Sequence, residues 1–353
     1  MTDKLMMMPG KKFIISCVCF FMVGCLSAQQ QPYYTQYMLN NFILNPALAG
    51  AENYWDIKAS YRNQWVGLQG GPTTLYLTVN GPLGKSQYDY ETPMTIPDPS
   101  AKQSDVKQSL TEYTAPPAHS GIGFSILNDK TGPLNRIAAY GSYAYHIPVG
   151  HKTTLSMGVS LGVQEVNVDV NAVDFGQVNP VDPAALTSGY LGKLEPDVNA
   201  GLWLSNTSFF VGLSAQQIVP VPLNSVSNST TSNGVTLLNG KLIPHTFFTA
   251  GYKISAGDNV TILPSVMVSY VQPLPLGLDV NAKVEYQNLI WLGFSYRYKV
   301  GYAGLLGVNI SSTINLGYSY DYTTTPLNTV SNGTHEIVIG FLLRRKTKEV
   351  AQK

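Results

Sequence analysis

A transmembrane β-barrel of the outer-membrane kind, all-β with about fourteen antiparallel strands, is what this sequence predicts. Three observations carry the expectation. From Asp279 to Gln287 the chain reads D-V-N-A-K-V-E-Y-Q. Successive strand residues face opposite sides of a sheet. Asp279, Asn281, Lys283, Glu285 and Gln287 therefore share one side, and Val280, Ala282, Val284 and Tyr286 share the other. Charged residues make up only 12% of the chain, about half the roughly 25% of soluble domains. The 32 Gly and 22 Tyr suit a barrel whose interface girdles use aromatic side chains. Beyond the N-terminal segment no stretch holds the roughly 18 consecutive apolar residues of a membrane helix. A mean hydropathy of +0.01 is too polar for a helical membrane protein. The net charge of +1 gives no drive toward nucleic acid.

The first element, residues 1–28, reads as an export signal. Lys11 and Lys12 precede an apolar run from Phe13 to Leu26, and Ser27-Ala28 then meets Gln29-Gln30-Gln31. Cleavage is expected after Ala28. Met22-Val23-Gly24-Cys25 offers a lipoprotein-like alternative in which Cys25 becomes the lipidated N-terminus. The three cysteines, Cys17, Cys19 and Cys25, all lie inside this segment. Cleavage after Ala28 leaves a mature chain without thiols, hence without disulfides or cysteine metal ligands.

Residues 29–50 follow as either a structural lead-in or a small plug. In Asn45-Pro46-Ala47-Leu48-Ala49-Gly50, Pro46 holds a turn and Gly50 frees the backbone for a sharp approach to the first strand. The apolar Tyr37, Met38, Phe42, Ile43 and Leu44 would let Tyr33–Ala49 fold into the lumen.

The barrel proper is expected over 51–343. Alternating segments run at Tyr54–Trp65, Thr73–Asn80, Gly121–Asn128, Arg136–Ile147, Thr153–Val168, Asp197–Leu204 and Ser208–Gln217. They continue at His245–Ile254, Val260–Tyr270, Gly277–Tyr286, Leu289–Tyr298, Ala303–Asn309, Ser312–Tyr322 and Thr334–Leu343. Tight turns follow the even-numbered strands, after Ile147, Leu204, Ile254, Tyr286 and Asn309. Long connections follow odd-numbered ones, at Asp169–Pro196, Ile218–Pro244 and Thr323–Gly333. Short periplasmic turns with longer outer loops are the asymmetry of an outer-membrane barrel. Both termini then fall in the periplasm. Leu83–Ser120 breaks the rule: it is long but on the periplasmic side, and rich in Pro, Ser and Gln. It reads as a flexible insertion or as a docking arm for a periplasmic partner. The chain closes on Glu336–Leu343, with Ile337, Ile339 and Phe341 toward lipid. A basic periplasmic tail follows over 344–353.

Within the first strand, Tyr61 and Trp65 share the lipid side, as an aromatic girdle would. Arg62 and Gln64 face the lumen with Lys58 and Asp56. Asn128-Asp129-Lys130-Thr131-Gly132-Pro133 reads as turn chemistry, and His335-Glu336 as a rim pair. No metal or cofactor site is expected. Asp129 has no second carboxylate nearby, and Asp169, Asp174 and Asp182 do not match an EF-hand spacing. His119, His146, His151, His245 and His335 lack metal-ligand spacing. Ser142 and His146 share a lumen face but have no evident third partner for a triad. An enzyme is not expected.

Several motifs in order carry a more specific likeness. They are Q-P-Y-Y-T-Q-Y-M-L-N-N-F-I-L-N-P-A-L-A-G at Gln31–Gly50, Y-R-N-Q-W at Tyr61–Trp65 and N-G-P-L at Asn80–Leu83. G-I-G-F-S-I-L-N-D-K-T-G-P at Gly121–Pro133 and Y-G-S-Y-A-Y-H at Tyr140–His146 follow. The chain resembles the PorP/SprF family of type IX secretion system outer-membrane proteins of Bacteroidetes, from Gln31 to Phe341. On the residues themselves the family motifs fall at Asn45, Pro46, Gly50, Tyr61, Arg62, Gln64, Trp65, Asn128, Asp129 and Gly132. The resemblance implies a role in secreting or anchoring large surface adhesins with a type B C-terminal domain, gliding motility included. Its partners would be that cargo, the periplasmic and inner-membrane parts of the system, and outer-membrane lipid. A porin or hydrophobic-solute channel is the alternative that the strand pattern leaves open.

Overall fold

The computed structural model describes residues 34–84, 92, 94–96, 98–100, 113–168, 193–219 and 243–344. The export signal with its cysteines, residues 29–33, loop residues 169–192 and 220–242, and the tail beyond Arg344 lie outside the described residues. Fifteen strands run β1 (Trp55–Asn63), β2 (Thr73–Pro82), β3 (His119–Thr131), β4 (Leu134–Pro148), β5 (Thr154–Val168), β6 (Lys193–Ser205), β7 (Phe209–Gln216) and β8 (His245–Tyr252). The rest are β9 (Ile254–Ala256), β10 (Val260–Val271), β11 (Gly277–Tyr286), β12 (Ile290–Arg297), β13 (Gly301–Asn309), β14 (Ile314–Thr323) and β15 (Thr334–Leu343). β8 and β9 both pair with β10 and are parted only at Lys253, so they make one span. The fourteen spans pair antiparallel with their sequence neighbours. β15 returns to β1 in register from Trp55↔Leu343 to Asn63↔His335, which closes the barrel.

The alternation sorts the walls as the sequence requires. On β1 Asp56, Lys58, Ser60 and Arg62 are buried, while Tyr61 is 50% exposed. On β5 Ser156, Ser160 and Gln164 are buried, while Met157, Val159, Leu161 and Val163 face out. In a bilayer the outward set meets acyl chains and the inward set meets the lumen. Leu161, at 65% exposure, sits at the middle of β5. A charged group at mid-depth costs about 2–4 kcal/mol on such a face. Leu161→Arg is therefore expected to lower by that amount the unfolding free energy that guanidinium titration in liposomes gives. An equal loss for Ser160→Thr, one residue along and inward, would show that the lipid face was assigned wrongly.

Most strand boundaries shift by a few residues, β6 for one beginning at Lys193 inside the expected Asp169–Pro196 loop, and two shifts bear on motif residues. β1 ends at Asn63, so Trp65 does not share Tyr61's lipid face by strand parity. Trp65 has φ 55 and turns the chain instead. β3 continues through Asn128, Asp129, Lys130 and Thr131 rather than turning there. It stays paired with β4 to Thr131↔Leu134, leaving only Gly132-Pro133 for the turn. Pairing with β4 throughout, and with β2 as far as Lys130, gives this stretch its backbone bonds, which outweighs the local turn preference of Asn and Asp. Inward glycines lie opposite large rings: Trp203 faces Gly212 and Trp291 faces Gly307 across neighbouring strands. At each glycine a Cβ would overlap the indole, so the glycine supplies the room that lets a tryptophan lie flat on the lumen wall.

Candidate functional site

The lumen is filled by the chain's own segment Tyr34–Gly50. Thr35, Gln36, Tyr37, Met38, Asn40, Leu44, Asn45, Ala47 and Ala49 are all buried there. Two 3-10 turns shape it, Asn41–Ile43 and Pro46–Leu48. Asn45, extended at φ −136 and ψ 109, caps the second by accepting the Ala47 N–H at 3.0 Å. Pro46 at the first helical position has no N–H to leave unpaired. The Asn45 side chain also donates to the carbonyls of Leu202 at 3.0 Å and Leu213 at 3.4 Å. At Gly50, φ +70 turns the chain out of the lumen toward β1, and its N–H donates to Asn80 at 3.3 Å.

At the outer end the segment is held by charge. Arg62 donates to Glu336 at 2.9 Å and to Asp321 at 2.7 Å. The Thr35 hydroxyl accepts from Arg62 at 2.6 Å and donates to Asp321 at 2.5 Å. The Thr35 N–H donates to Glu336 at 2.9 Å. Arg297 adds contacts to Asp279 at 3.3 Å and Asp321 at 3.7 Å. Two guanidinium groups and three carboxylates thus meet around one threonine of the plug. Because these groups are buried, their attraction is little screened, and the loss of either sign would leave the other uncompensated.

At the periplasmic end the floor comes from the connection between β2 and β3. Met94 packs with Ala47, Trp203, Phe210 and Leu263 beneath the plug. Ile96 packs with Tyr54 and Leu342. Glu52 accepts from the hydroxyls of Thr92 and Thr95, each at 2.5 Å. The Ile96 N–H donates to the Tyr54 hydroxyl at 3.2 Å, and Arg344 donates to the Ile96 carbonyl. Burial pushes the Tyr54 phenol well above its ordinary range and the Tyr113 phenol up to about 12, so both stay neutral at the floor. Residues 92, 94–96 and 113–120 are in this way tied to the barrel end; Ala115 N–H, for one, donates to the His151 carbonyl at 2.8 Å.

The motif residues divide among these places. Asn45, Pro46 and Gly50 belong to the plug and Arg62 to its outer clamp. Tyr61 faces out. Gln64 and Trp65 form the outer rim: the Gln64 N–H donates to the Pro72 carbonyl at 2.8 Å and the Trp65 N–H to Thr334 at 3.1 Å. Gly132, at φ +56, donates its N–H to the Gly70 carbonyl at 2.9 Å, fastening the β3–β4 turn to the β1–β2 loop. Asn128 is exposed on the outer wall, and Asp129, on the opposite face, accepts from Thr74 at 2.6 Å. His335 and Glu336 are not a rim pair. As consecutive strand residues they point opposite ways: Glu336 lies fully buried in the clamp, and His335 meets the Tyr318 hydroxyl at 2.7 Å. Ser142 bonds to Ser160 at 2.7 Å. Both ring nitrogens of His146 are engaged elsewhere, Nε2 on the Ala49 carbonyl at 2.9 Å and Nδ1 on Ser156 at 2.6 Å. Asp279, Asp321, Arg297 and Gln216 join the site although no motif marks them. Asp279 and Asp321 carried one signal, as charged residues at lumen-parity positions.

The family described as type IX secretion system membrane protein PorP/SprF matches residues 26–341. No protein of curated function matches the chain in sequence. Solved structures of similar shape include the Ralstonia pickettii toluene transporter TbuX, at 12% identity and a TM-score of 0.48, with 87% of this chain and 93% of that one covered. The Pseudomonas putida toluene transporter TodX has 10% identity and a TM-score of 0.47, covering 89% and 95%. The Acinetobacter baumannii outer membrane protein Omp33 has 10% identity and a TM-score of 0.41, covering 84% and 100%.

Proposed function

Because the chain belongs to the PorP/SprF family of type IX secretion system membrane proteins, an outer-membrane component of that system, we propose that it works there without catalysis, as a holder. In this reading the outer loops, chiefly residues 169–192 and Ile218–Pro244, retain a large secreted adhesin by its type B C-terminal domain. The periplasmic turns and Leu83–Ser120 meet the periplasmic and inner-membrane machinery. The export signal is removed after Ala28 to deliver the barrel. One observation supports holding over passage: the lumen is occupied from Thr35 at the outer clamp to Gly50 near the floor, with Met94 beneath. A barrel filled along its axis has its loops and turns left as contact surfaces.

The test pairs a secretion assay with electrophysiology. Deleting the gene is expected to remove the adhesin from the cell surface and abolish spreading on agar. Restoring a barrel whose residues 169–192 are replaced by a short Gly-Ser connector should give normal insertion but no retained adhesin. The purified wild-type barrel should stay electrically quiet in planar bilayers. Normal adhesin display in the deletion strain, with steady conductance from the purified barrel, would instead support the solute-channel reading.

A further inference from the structure

We infer that the lumen is a binding channel for a polypeptide segment wound in tight turns, occupied in cis by Thr35–Gly50, and that another polypeptide segment can take that segment's place. This goes beyond the adhesin reading and stands whether or not the outer loops hold cargo.

The contacts between wall and plug carry the inference, because the wall binds main-chain atoms. Glu336 accepts the Thr35 N–H. Gln216 donates to the Ile43 carbonyl at 2.9 Å and the Leu44 carbonyl at 3.1 Å. His146 donates to the Ala49 carbonyl, and Asn80 accepts the Gly50 N–H. A carbonyl only accepts, so His146 Nε2 carries a proton. These four side chains stand on β15, β7, β4 and β2, around the barrel. Every residue but proline supplies the same N–H and C=O groups, so such contacts recognise a chain rather than a particular side chain.

The second observation is steric. At Gly121, Gly158 and Gly201 an added Cβ would overlap Ala49, Ala47 and Asn45. The wall is cut back where the peptide comes closest, and the peptide there is small. The ligand class follows: a chain that winds into a capped 3-10 turn of small residues, of the Asn-Pro-Ala-Leu-Ala-Gly kind, in the half nearer the floor.

A site-specific protease sequence inserted between Ala51 and Glu52 lets the full chain fold before the link is cut. A labelled peptide of residues 34–50 should then exchange into the nicked barrel at one per barrel, followed by fluorescence anisotropy. Gln216→Leu in the barrel should weaken it at least about tenfold, since both of its hydrogen bonds to the segment are lost. A peptide carrying Ala47→Leu should not bind, whereas Met38→Leu should bind as the parent does. The inference is overturned if the nicked segment never exchanges, if it leaves and no peptide enters, or if the Ala47→Leu peptide binds equally well. Should the nicked barrel lose its native gel mobility, hydrogen exchange of the uncut Gln216→Leu chain decides. Amides of Ile43–Gly50 must exchange faster while those of β5 do not, and unchanged protection of the segment refutes the inference.

Discussion

Arg62→Ala is expected to destabilise the barrel by about 3–5 kcal/mol and to free the outer end of the lumen segment. Removing one partner of a buried ion pair leaves the other charge desolvated and unpaired, which is where a loss of that size comes from. Arg62 stands between Glu336 and Asp321 and bonds both, together with Thr35. With the guanidinium gone, Arg297 alone would face three carboxylates. It reaches Asp279 at 3.3 Å and Asp321 at 3.7 Å, so Glu336 loses its bonded cation. The readout is the guanidinium midpoint of the heat-modifiable gel shift in detergent, with conductance in planar bilayers as the second measure. The midpoint should fall, and current should flow because the carboxylates that still hold Thr35, Glu336 and Asp321, lose the cation that fixes them. A triple variant, Arg62→Met with Glu336→Gln and Asp321→Asn, should recover much of the midpoint. Replacing a whole buried ion set by neutral groups of similar volume often costs little. An Arg62→Ala barrel with an unchanged midpoint would show that the clamp contributes nothing to stability.

The barrel was readable from the alternation because a period of two, repeated over hairpin-linked spans, leaves one wall apolar and one polar whatever the side-chain details. Arg62 could be assigned to the lumen by parity with Asp56 and Lys58. Its partners could not. Glu336 lies at the far end of the chain, and only the closing β1–β15 register, Arg62↔Glu336, sets the two side by side. At Asn128–Pro133 the local preference of Asn and Asp points to a turn, and the β4 ladder, which no single segment reveals, overrides it. In the β2–β3 connection, low apolar content hid two residues that matter, Met94 and Ile96. A floor under a plug needs only a few apolar contacts, and composition averages them away. Asn45-Pro46 was legible as a turn, since proline at the first helical position after an Asn cap is a local signature. Where that turn sits depended on glycines in β3, β5 and β6, remote in sequence.

Those glycines give the second large effect. Gly158→Val is expected to expel the lumen segment and leave the barrel standing. Gly158 lies on β5, paired with Ala144 on one side and Gly201 on the other. Its added Cβ would come to 2.5 Å from the Pro46 carbonyl carbon and the Ala47 Cα. Both are main-chain atoms that no rotamer change can move aside, so one body has to yield. The wall is pinned by ladder bonds on both flanks, and valine suits a strand better than glycine does. The segment is joined to the wall by side-chain bonds and packing, and it is the part that gives way. Overpacking a fitted interior costs about 1–3 kcal/mol, enough to shift a segment whose displacement breaks few backbone bonds. The variant should keep its unfolding midpoint, conduct ions where the parent is silent, and lose amide protection from Tyr37 to Ala49. Gly141→Val is the matched control. That glycine is exposed on the lipid face of β4, and its Cβ would meet only the Leu161 carbonyl oxygen at 4.0 Å, so none of the three readouts should move. If Gly158→Val instead stays closed while its midpoint falls, the wall bends before the segment leaves. The two would then be one rigid body rather than a channel and its occupant.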